Sequence, residues 1–496
     1  MSASPNGAPA KLPTFLEGFD VIADGGLPAG RVTLVSGTAG TGKTIFAVQF
    51  LVEGIRKSNE GAVFVTFEES AQDIRQNMLS FGWDIQRWED EGLWAFVDAA
   101  FAPDTAGTIA GSYDLSALTA RIEHAMAKVN AKRVALDSFS AVQGQFPDLG
   151  TMRAELFRIT NTLKALGVTA VVTSERTHDY GELTRSGIEE FVADNVVILR
   201  NVLDDEKRRR TVEILKFRGA YHQRGEYPLA IIPDTGLVVV PLSANELRQR
   251  STEIRITSGV EELDRMCGGG FFRDSVTLVS GATGTGKTLL VTEFVKGGFE
   301  HGEKVLVFAF EESREQLTRN ARGWGVDFQK MEEAGQLRLR CQYPEMTGPE
   351  EHLVQMKALV QEFKPDRVAI DSLSAVERVT TPKSFREFVL GVTTFLRDHD
   401  IAGLFTATTP QLLGGSSITA THVSTVTDTI VLLRYLERQG EVQRGITVLK
   451  MRGSMHDKSI REFKIDGSGM HIGEPLVGIT GVLSGSPIYR ASDPGA

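Results

Sequence analysis

Short apolar runs alternate with longer stretches of helical spacing along this chain. In the first half, VTLVSG (32–37) is apolar enough for both faces of a strand, and TIFAVQFLVEGIRK (44–57) spaces its apolar residues as a helix does. AVFVTFEE (62–69), RVALDS (133–138) and VTAVVTSE (168–175) predict further buried strands. LSALTARIEHAMAKVN (115–130) and MRAELFRITNTLKALG (152–167) predict helices between them. Continuous apolar strands separated by amphipathic helices indicate a parallel sheet covered on both faces. From VVILRN (196–201) through RTVEILKFRG (210–219) to LAIIPDTGLVVVPL (229–242) the pattern changes to hairpin-like strands. The expected fold class is α/β, a central, mostly parallel sheet flanked by helices, with a β-rich C-terminal edge.

The pattern then recurs. RVTLVSGTAGTGKT ends at Thr44 and SVTLVSGATGTGKT at Thr288; VFVTFEES closes at Ser70 and VLVFAFEES at Ser313. RVALDS and RVAIDS close at Ser138 and Ser372, DNVVILR and DTIVLLR start at Asp194 and Asp428, and ILKFRG and VLKMRG end at Gly219 and Gly453. The offsets are 244, 243, 234, 234 and 234 residues. Five matched segments in one order mean a duplicated domain. The first is expected over 12–246 and the second over 247–487, with a boundary in the polar stretch ELRQRSTEIR and a short tail, 488–496.

Composition narrows the function. Of 496 residues, 41% are hydrophobic and 24% charged, which excludes a disordered or fibrous chain. A net charge of -10 argues against a general binder of phosphate backbones. Two cysteines, Cys267 and Cys341, make neither a disulfide framework nor a zinc cluster. The first residues lack the apolar core of a signal peptide, and no apolar run is long enough to span a bilayer, so a cytoplasmic protein without a membrane partner is expected.

The candidate chemistry lies in the repeats. Gly37, Thr38, Ala39, Gly40, Thr41, Gly42, Lys43 and Thr44 form G-x-x-x-x-G-K-T after a strand and before a helix. Gly281, Ala282, Thr283, Gly284, Thr285, Gly286, Lys287 and Thr288 repeat it. Such a loop wraps an anion in inward-pointing amides at a helix N-terminus, its Lys reaching the β/γ-phosphates and its Thr hydroxyl reaching Mg²⁺. Two nucleotide sites are expected, for ATP. Asp137 and Asp371 end apolar strands, where a P-loop protein holds the Mg²⁺ shell, although an Asp there also caps helices. Glu68-Glu69 and Glu311-Glu312 end the second strand of each half. They are candidates to orient or deprotonate a nucleophile, or else a solvated strand end. Lys216-Phe217-Arg218 and Lys450-Met451-Arg452 sit on the late hairpins, far in sequence from their own cradles. They are candidates to serve a neighbouring subunit's phosphates, or else form an exposed basic hairpin. Lys207-Arg208-Arg209-Arg210 reads as a solvated hairpin turn rather than a nucleic-acid contact.

The two P-loops, FEES after the second strand, CGGGFF before the second P-loop, and HVSTVTDTIVLLRYLE together resemble the KaiC family over about residues 12–487. That family is the tandem RecA-like ATPase core of a circadian clock in cyanobacteria, with relatives elsewhere. The resemblance implies a homohexamer with ATP at subunit interfaces and Mg²⁺ as cofactor. It implies slow hydrolysis in the first domain, and serine/threonine autokinase and autophosphatase activity in the second. It places the phosphoacceptors at Ser424 and Thr425, with Thr419 a third hydroxyl, and adds His222 and Lys458 to the nucleotide contacts. By the repeat offset, Ser424 and Thr425 match Glu190 and Phe191, so the first domain has no acceptor hydroxyl at the matching place. A KaiB-like partner and an output histidine kinase or response regulator fit the resemblance. Only IYRASDPGA follows Pro487, which argues against KaiA binding and for a relative that signals without oscillating as the alternative. A recombinase or helicase shares the fold, but FSAVQGQFPDLGTM, SERTHDYGELTRS, LSAVERVTTPKS and TPQLLGGSSITATHVS offer few cations or aromatics to a single strand.

Overall fold

The computed structural model describes residues 9–99, 116–141, 146, 148–182, 192–204, 207–241, 251–409, 425–438, 440–477, 479–480 and 488–489. The chain divides into two compact units, Met1–Glu246 and Leu247–Ala496.

Among the described residues, the main sheet of the first unit has nine strands: β1 (Val32–Gly37), β2 (Gly61–Thr66), β3 (Trp94–Asp98), β4 (Ala131–Asp137), β5 (Thr169–Glu175), β6 (Asn195–Asp204), β7 (Lys207–Phe217), β8 (Glu226–Ile232) and β9 (Gly236–Val239). Their order across the sheet is β9-β8-β7-β6-β1-β5-β4-β2-β3. Strands β3, β2, β4, β5, β1 and β6 run parallel, and β7, β8 and β9 continue antiparallel. Helices α1 (Lys43–Ser58), α2 (Ala71–Met78), α3 (Ser116–Val129) and α4 (Leu149–Ala165) connect the parallel strands. All six residues of β1 are buried, as its unbroken apolar run requires. Helix α4 starts earlier than its apolar spacing predicts because Asp148 caps the N–H groups of Gly150 and Thr151 at 2.8 and 2.9 Å.

The second unit repeats the plan with β10 (Val276–Gly281), β11 (Val305–Ala309), β12 (Leu337–Cys341), β13 (Arg367–Asp371), β14 (Ala402–Thr408), β15 (Thr429–Arg438), β16 (Glu441–Met451), β17 (Arg461–Asp466) and β18 (Gly469–Pro475). Its order is β12-β11-β13-β14-β10-β15-β16-β17-β18. The helices are α5 (Lys287–Glu300), α6 (Arg314–Gly323), α7 (Pro349–Phe363), α8 (Leu373–Arg378) and α9 (Pro382–Asp398).

Amphipathic spacing predicts a half-exposed α1, but Phe46 through Ile55 are all buried, including Gln49 and Glu53. The antiparallel extension covers its outer side. Gln49 accepts the N–H of Leu237 at 2.7 Å, and Glu293 at the repeat position accepts that of Met470 at 3.2 Å. These buried polar groups are satisfied by the strands that cover them. The approach requires glycine: a Cβ on Gly236 (φ 96) would lie 2.6 Å from the Gln49 carbonyl oxygen, and one on Gly469 (φ 119) 1.9 Å from Glu293. Two arginines brace the opposite side. Arg133 donates to Glu60 (2.7 Å) and to the carbonyls of Phe50 (3.1 Å) and Pro13 (2.9 Å). Arg367 donates to Glu303 (2.5 Å), Thr257 (2.7 Å) and Phe294 (3.2 Å).

Candidate functional site

Strand β1 lies at the centre of its sheet; the connection from its end runs to β2 on one side, while that from its neighbour β5 runs to β6 on the other, so its carboxyl end lies at a topological switch point. The glycine-rich turn lies there. Gly42 and Gly286 stand at the N-caps of α1 and α5 with φ 96 and 105, where a Cβ would be strained. Thr41 and Thr285 each donate across the turn, to the carbonyls of Thr38 and Ala282 at 2.8 Å, and hold it closed. Lys43 Nζ donates to the Thr38 carbonyl at 2.9 Å. Lys287 Nζ donates to the Gly281 and Ala282 carbonyls at 2.9 Å each. Burial pushes both ammonium groups below the ordinary lysine range, against the pull of Glu175, Asp137 and Glu68 on Lys43 and of Asp371 and Glu311 on Lys287. A partly or fully buried cation beside a ring of amides is a receptor for a polyanion.

Parallel register brings the carboxylates to the same rim. Thr66 pairs with Asp137 and Gly37 with Glu175; Ala309 pairs with Asp371. Thr44 Oγ1 donates to Asp137 at 2.6 Å and Thr288 Oγ1 to Asp371 at 2.8 Å. The other oxygen of each aspartate accepts from Thr173 and Thr406, two residues that strand periodicity alone did not single out. Burial holds Asp371 above the ordinary aspartate range, and its two threonines and Lys287 offset this only partly. A threonine hydroxyl beside a buried carboxylate is a hard-oxygen pair that suits Mg²⁺, which keeps most of its waters and takes few protein ligands. Among the described residues no group of three or more His, Cys, Asp or Glu forms a denser metal cluster.

The adjacent glutamates do not act as equals. In the second unit Glu311 accepts from Ser372 at 2.8 Å and from Arg378 at 2.5 Å, while Glu312 accepts from Asn320 at 3.0 Å. Successive residues leaving a strand turn to opposite sides, so one faces the aspartate strand and the other faces α6. In the first unit Glu69 accepts from Asn77 at 3.4 Å. Burial first, then the charges of Asp137 and Glu175, raises Glu68 above the usual carboxylate range; burial and then Asp137 raise Glu69, and burial and then Asp371 raise Glu312. At the repeat position of Arg378 the first unit has Gly144. A cavity of about 440 Å³ lies beside the second pair, lined by Phe310, Glu311, Glu312, Cys341, Tyr343 and Met346.

The Lys216–Arg218 and Lys450–Arg452 ends of the late hairpins are tied to groups away from the P-loops. Lys216 Nζ donates to the Ala193 carbonyl at 3.1 Å and Lys450 Nζ to that of Thr427 at 2.7 Å. Arg218 meets Asp194 at 3.4 Å, and Arg452 donates to the Thr425 carbonyl at 2.9 Å. The side chains of Phe217 and Met451 are buried in the two cores, so only their backbones remain for a ligand. Their physical role is to anchor the cations on either side. His222 packs on Phe217 with ring centroids 5.3 Å apart, and burial and then Lys11 push it down; Lys458 is exposed. Thr425 is exposed, whereas Ser424, Thr419, Glu190 and Phe191 lie outside the described residues. The basic run at Lys207–Arg210 holds one residue that sequence reasoning missed: Arg210 Nε donates to the Gly40 carbonyl of the P-loop at 3.3 Å. Asp179 is another, accepting from Thr38 at 2.8 Å and from the Asn201 N–H at 3.2 Å. Cys267 is fully buried, and desolvation pushes its thiol up to about 12, the mark of an inert packing residue. Among the described residues no helix is long and apolar enough to cross a membrane.

Comparison with known proteins agrees over nearly the whole length. The family model described as ATPase: KaiC matches residues 12–244 and again 256–477. A circadian clock protein KaiC3 from Synechocystis sp. is 63% identical over 481 residues, 97% of this chain and 95% of that protein. The circadian clock oscillator protein KaiC of Thermostichus vulcanus is 54% identical over 483 residues, 97% of this chain and 93% of its own. That of Acaryochloris marina is 54% identical over 484 residues, 97% and 92%.

Proposed function

The chain belongs to the KaiC family of ATPases, and from that membership we propose that its two units divide one phosphoryl chemistry between two acceptors. The first passes the γ-phosphoryl of ATP to water. The second passes it to Ser424 or Thr425 of the same kind of chain, and back. The observation that carries this reading is the exposed Thr425, whose carbonyl is held by Arg452 on the hairpin that serves the transfer.

The turns 37–44 and 281–288 cradle the triphosphate, and Lys43 and Lys287 neutralise its terminal charge. Thr44 with Asp137, and Thr288 with Asp371, would hold Mg²⁺, in part through water. Bound there, the ion supplies charge stabilisation on the β- and γ-phosphate oxygens. Glu68, supported by Glu69, orients and deprotonates the attacking water. Glu311 does the same for the acceptor hydroxyl, with Glu312 in support. The chains assemble as a homohexamer in which Lys216 and Arg218, and Lys450 and Arg452, reach the nucleotide of the next subunit with their hairpin backbones, His222 and Lys458. A KaiB-like protein and a timer or circadian output of the histidine-kinase or response-regulator type complete the reading.

The test is incubation of the purified protein with Mg-ATP labelled at the γ-position. Label on the peptide carrying Ser424 and Thr425 supports the reading; label absent from that peptide, with ATP still consumed, sinks its kinase half. A pH profile tests the base. Since Glu68 titrates above the ordinary carboxylate range, protonation switches off first-unit hydrolysis at a higher pH than for a free glutamate. Glu175→Gln removes one of the charges that raise it, so the acid limb should move to lower pH. A limb that stays in place or moves up contradicts the assignment.

A further inference from the structure

Asp194 and Asp428, which open the repeated DNVVILR and DTIVLLR segments, have no part in the chemistry above, yet each sits at a junction. The Asp428 N–H donates to the Val276 carbonyl at 2.9 Å, and the Val276 N–H returns to Asp428 Oδ2 at 3.0 Å. Val276 is the first residue of β10, the strand that ends in the P-loop. The Arg452 N–H donates to the Asp428 carbonyl at 3.0 Å, and its guanidinium lies 3.8 Å from the carboxylate. Arg397 closes the cluster, donating to both carboxylate oxygens at 2.9 and 2.7 Å and to the Val426 carbonyl at 2.9 Å. The first unit repeats the backbone links and the ion pairs, with Arg218 3.4 Å and Arg31 3.7 Å from the Asp194 carboxylate. The Asp194 N–H donates to Val32 at 3.2 Å, the Arg218 N–H to the Asp194 carbonyl at 3.3 Å, and Lys164 meets the carboxylate at 2.8 Å.

An ion pair that merely neutralises a buried acid would need no more than Arg397 or Lys164. Here the carboxylate also marks the root of an outward arginine. The Asp428 side chain is 17% exposed and that of Arg452 54%; for Asp194 and Arg218 the figures are 4% and 59%. A shielded anchor under an exposed guanidinium restricts the rotamers of a long side chain before it meets a ligand.

We propose that Asp428 and Asp194 are positioning residues: each ties the arginine that serves the neighbour's nucleotide to the start of its own subunit's P-loop strand. This deepens the reading of those arginines as groups acting across a subunit boundary, and rests on it.

Mixed rings test this. Asp428→Asn keeps the shape and removes the charge, and should lower phosphate incorporation in the second unit about tenfold. Lys287→Ala chains lack a working cradle but keep their arginine. Equal parts of the two, co-assembled from separated chains, should regain about a quarter of the wild-type rate, because about a quarter of the head-to-tail contacts pair an intact cradle with an intact arginine. Arg452→Ala mixed with Lys287→Ala is the control. If the control regains activity and the Asp428→Asn mixture does not, Asp428 acts on its own cradle and the proposal is overturned. If Asp428→Asn alone is as active as wild type, it is overturned as well. If the control fails, the reading across the boundary falls and takes the proposal with it. Should Asp428→Asn rings not assemble, Asp194→Asn mixed with Lys43→Ala, scored by phosphate release, carries the same outcomes.

Discussion

Lys287→Ala is expected to lower phosphate incorporation in the second unit by about 10²–10³-fold, the scale of losing one preorganised charge at a transferring group. Hydrolysis in the first unit should persist. Lys43→Ala should do the reverse, cutting phosphate release while the second unit still labels itself. Lys287 is 8% exposed, and its ammonium is fixed by two carbonyls 2.9 Å away. Water therefore cannot replace its charge at low cost, and Lys287→Arg should not rescue it, because a planar fork does not fit a pocket shaped for a point charge. Counting released phosphate and protein-bound label in one reaction checks both arms. Equal losses of both products from either substitution would contradict the division of labour between the units.

Arg367→Ala is expected to destabilise the second unit by about 3–5 kcal/mol, the range for breaking a buried ion pair from one side. Three acceptors would lose their donor: Glu303 and the carbonyls of Thr257 and Phe294. Burial pulls the Arg367 pKa down, and Glu303 offsets this only partly, so the guanidinium is a costly group to have inside. It is retained because it bridges β13, α5 and the segment leading to β10. The guanidinium also lies 4.9 Å from the centroid of the Phe294 ring. Arg133→Ala should weaken the first unit in the same way through Glu60, Phe50 and Pro13. Calorimetry should show one transition shifting downward while the other stays; a change below about 1 kcal/mol would mean that the acceptors find water.

The alternation of apolar runs places most strands and the connecting helices correctly, because burial on both faces leaves an unbroken apolar signature. It misses β3, whose five residues WAFVD are only partly buried at the sheet edge, and the short helix α2. The cradle is equally legible. Its amides come from eight consecutive residues, so its geometry is a local property of glycine, lysine and threonine in one order. Duplication sharpened this, since shared letters at a constant offset marked Asp137, Asp371 and the glutamate pairs.

Other parts of the site are not local. Thr173 and Thr406 matter only because β5 and β14 lie beside the aspartate strands. Arg210 matters because β7 turns its start back over the Gly40 carbonyl. Identical FEES segments meet different neighbours: Arg378 holds Glu311, whereas its repeat position in the first unit is a glycine. The duplication, the α/β class and the two anion cradles are legible in the residues alone, since each follows from contiguous letters and backbone chemistry. Folding in three dimensions sets which glutamate faces the aspartate, what orients each carboxylate, and that Asp194 and Asp428 meet both an outward arginine and the start of a P-loop strand. Those pairings are set by strand register and crossover, which bring together residues dozens to hundreds of positions apart and leave no spacing to read.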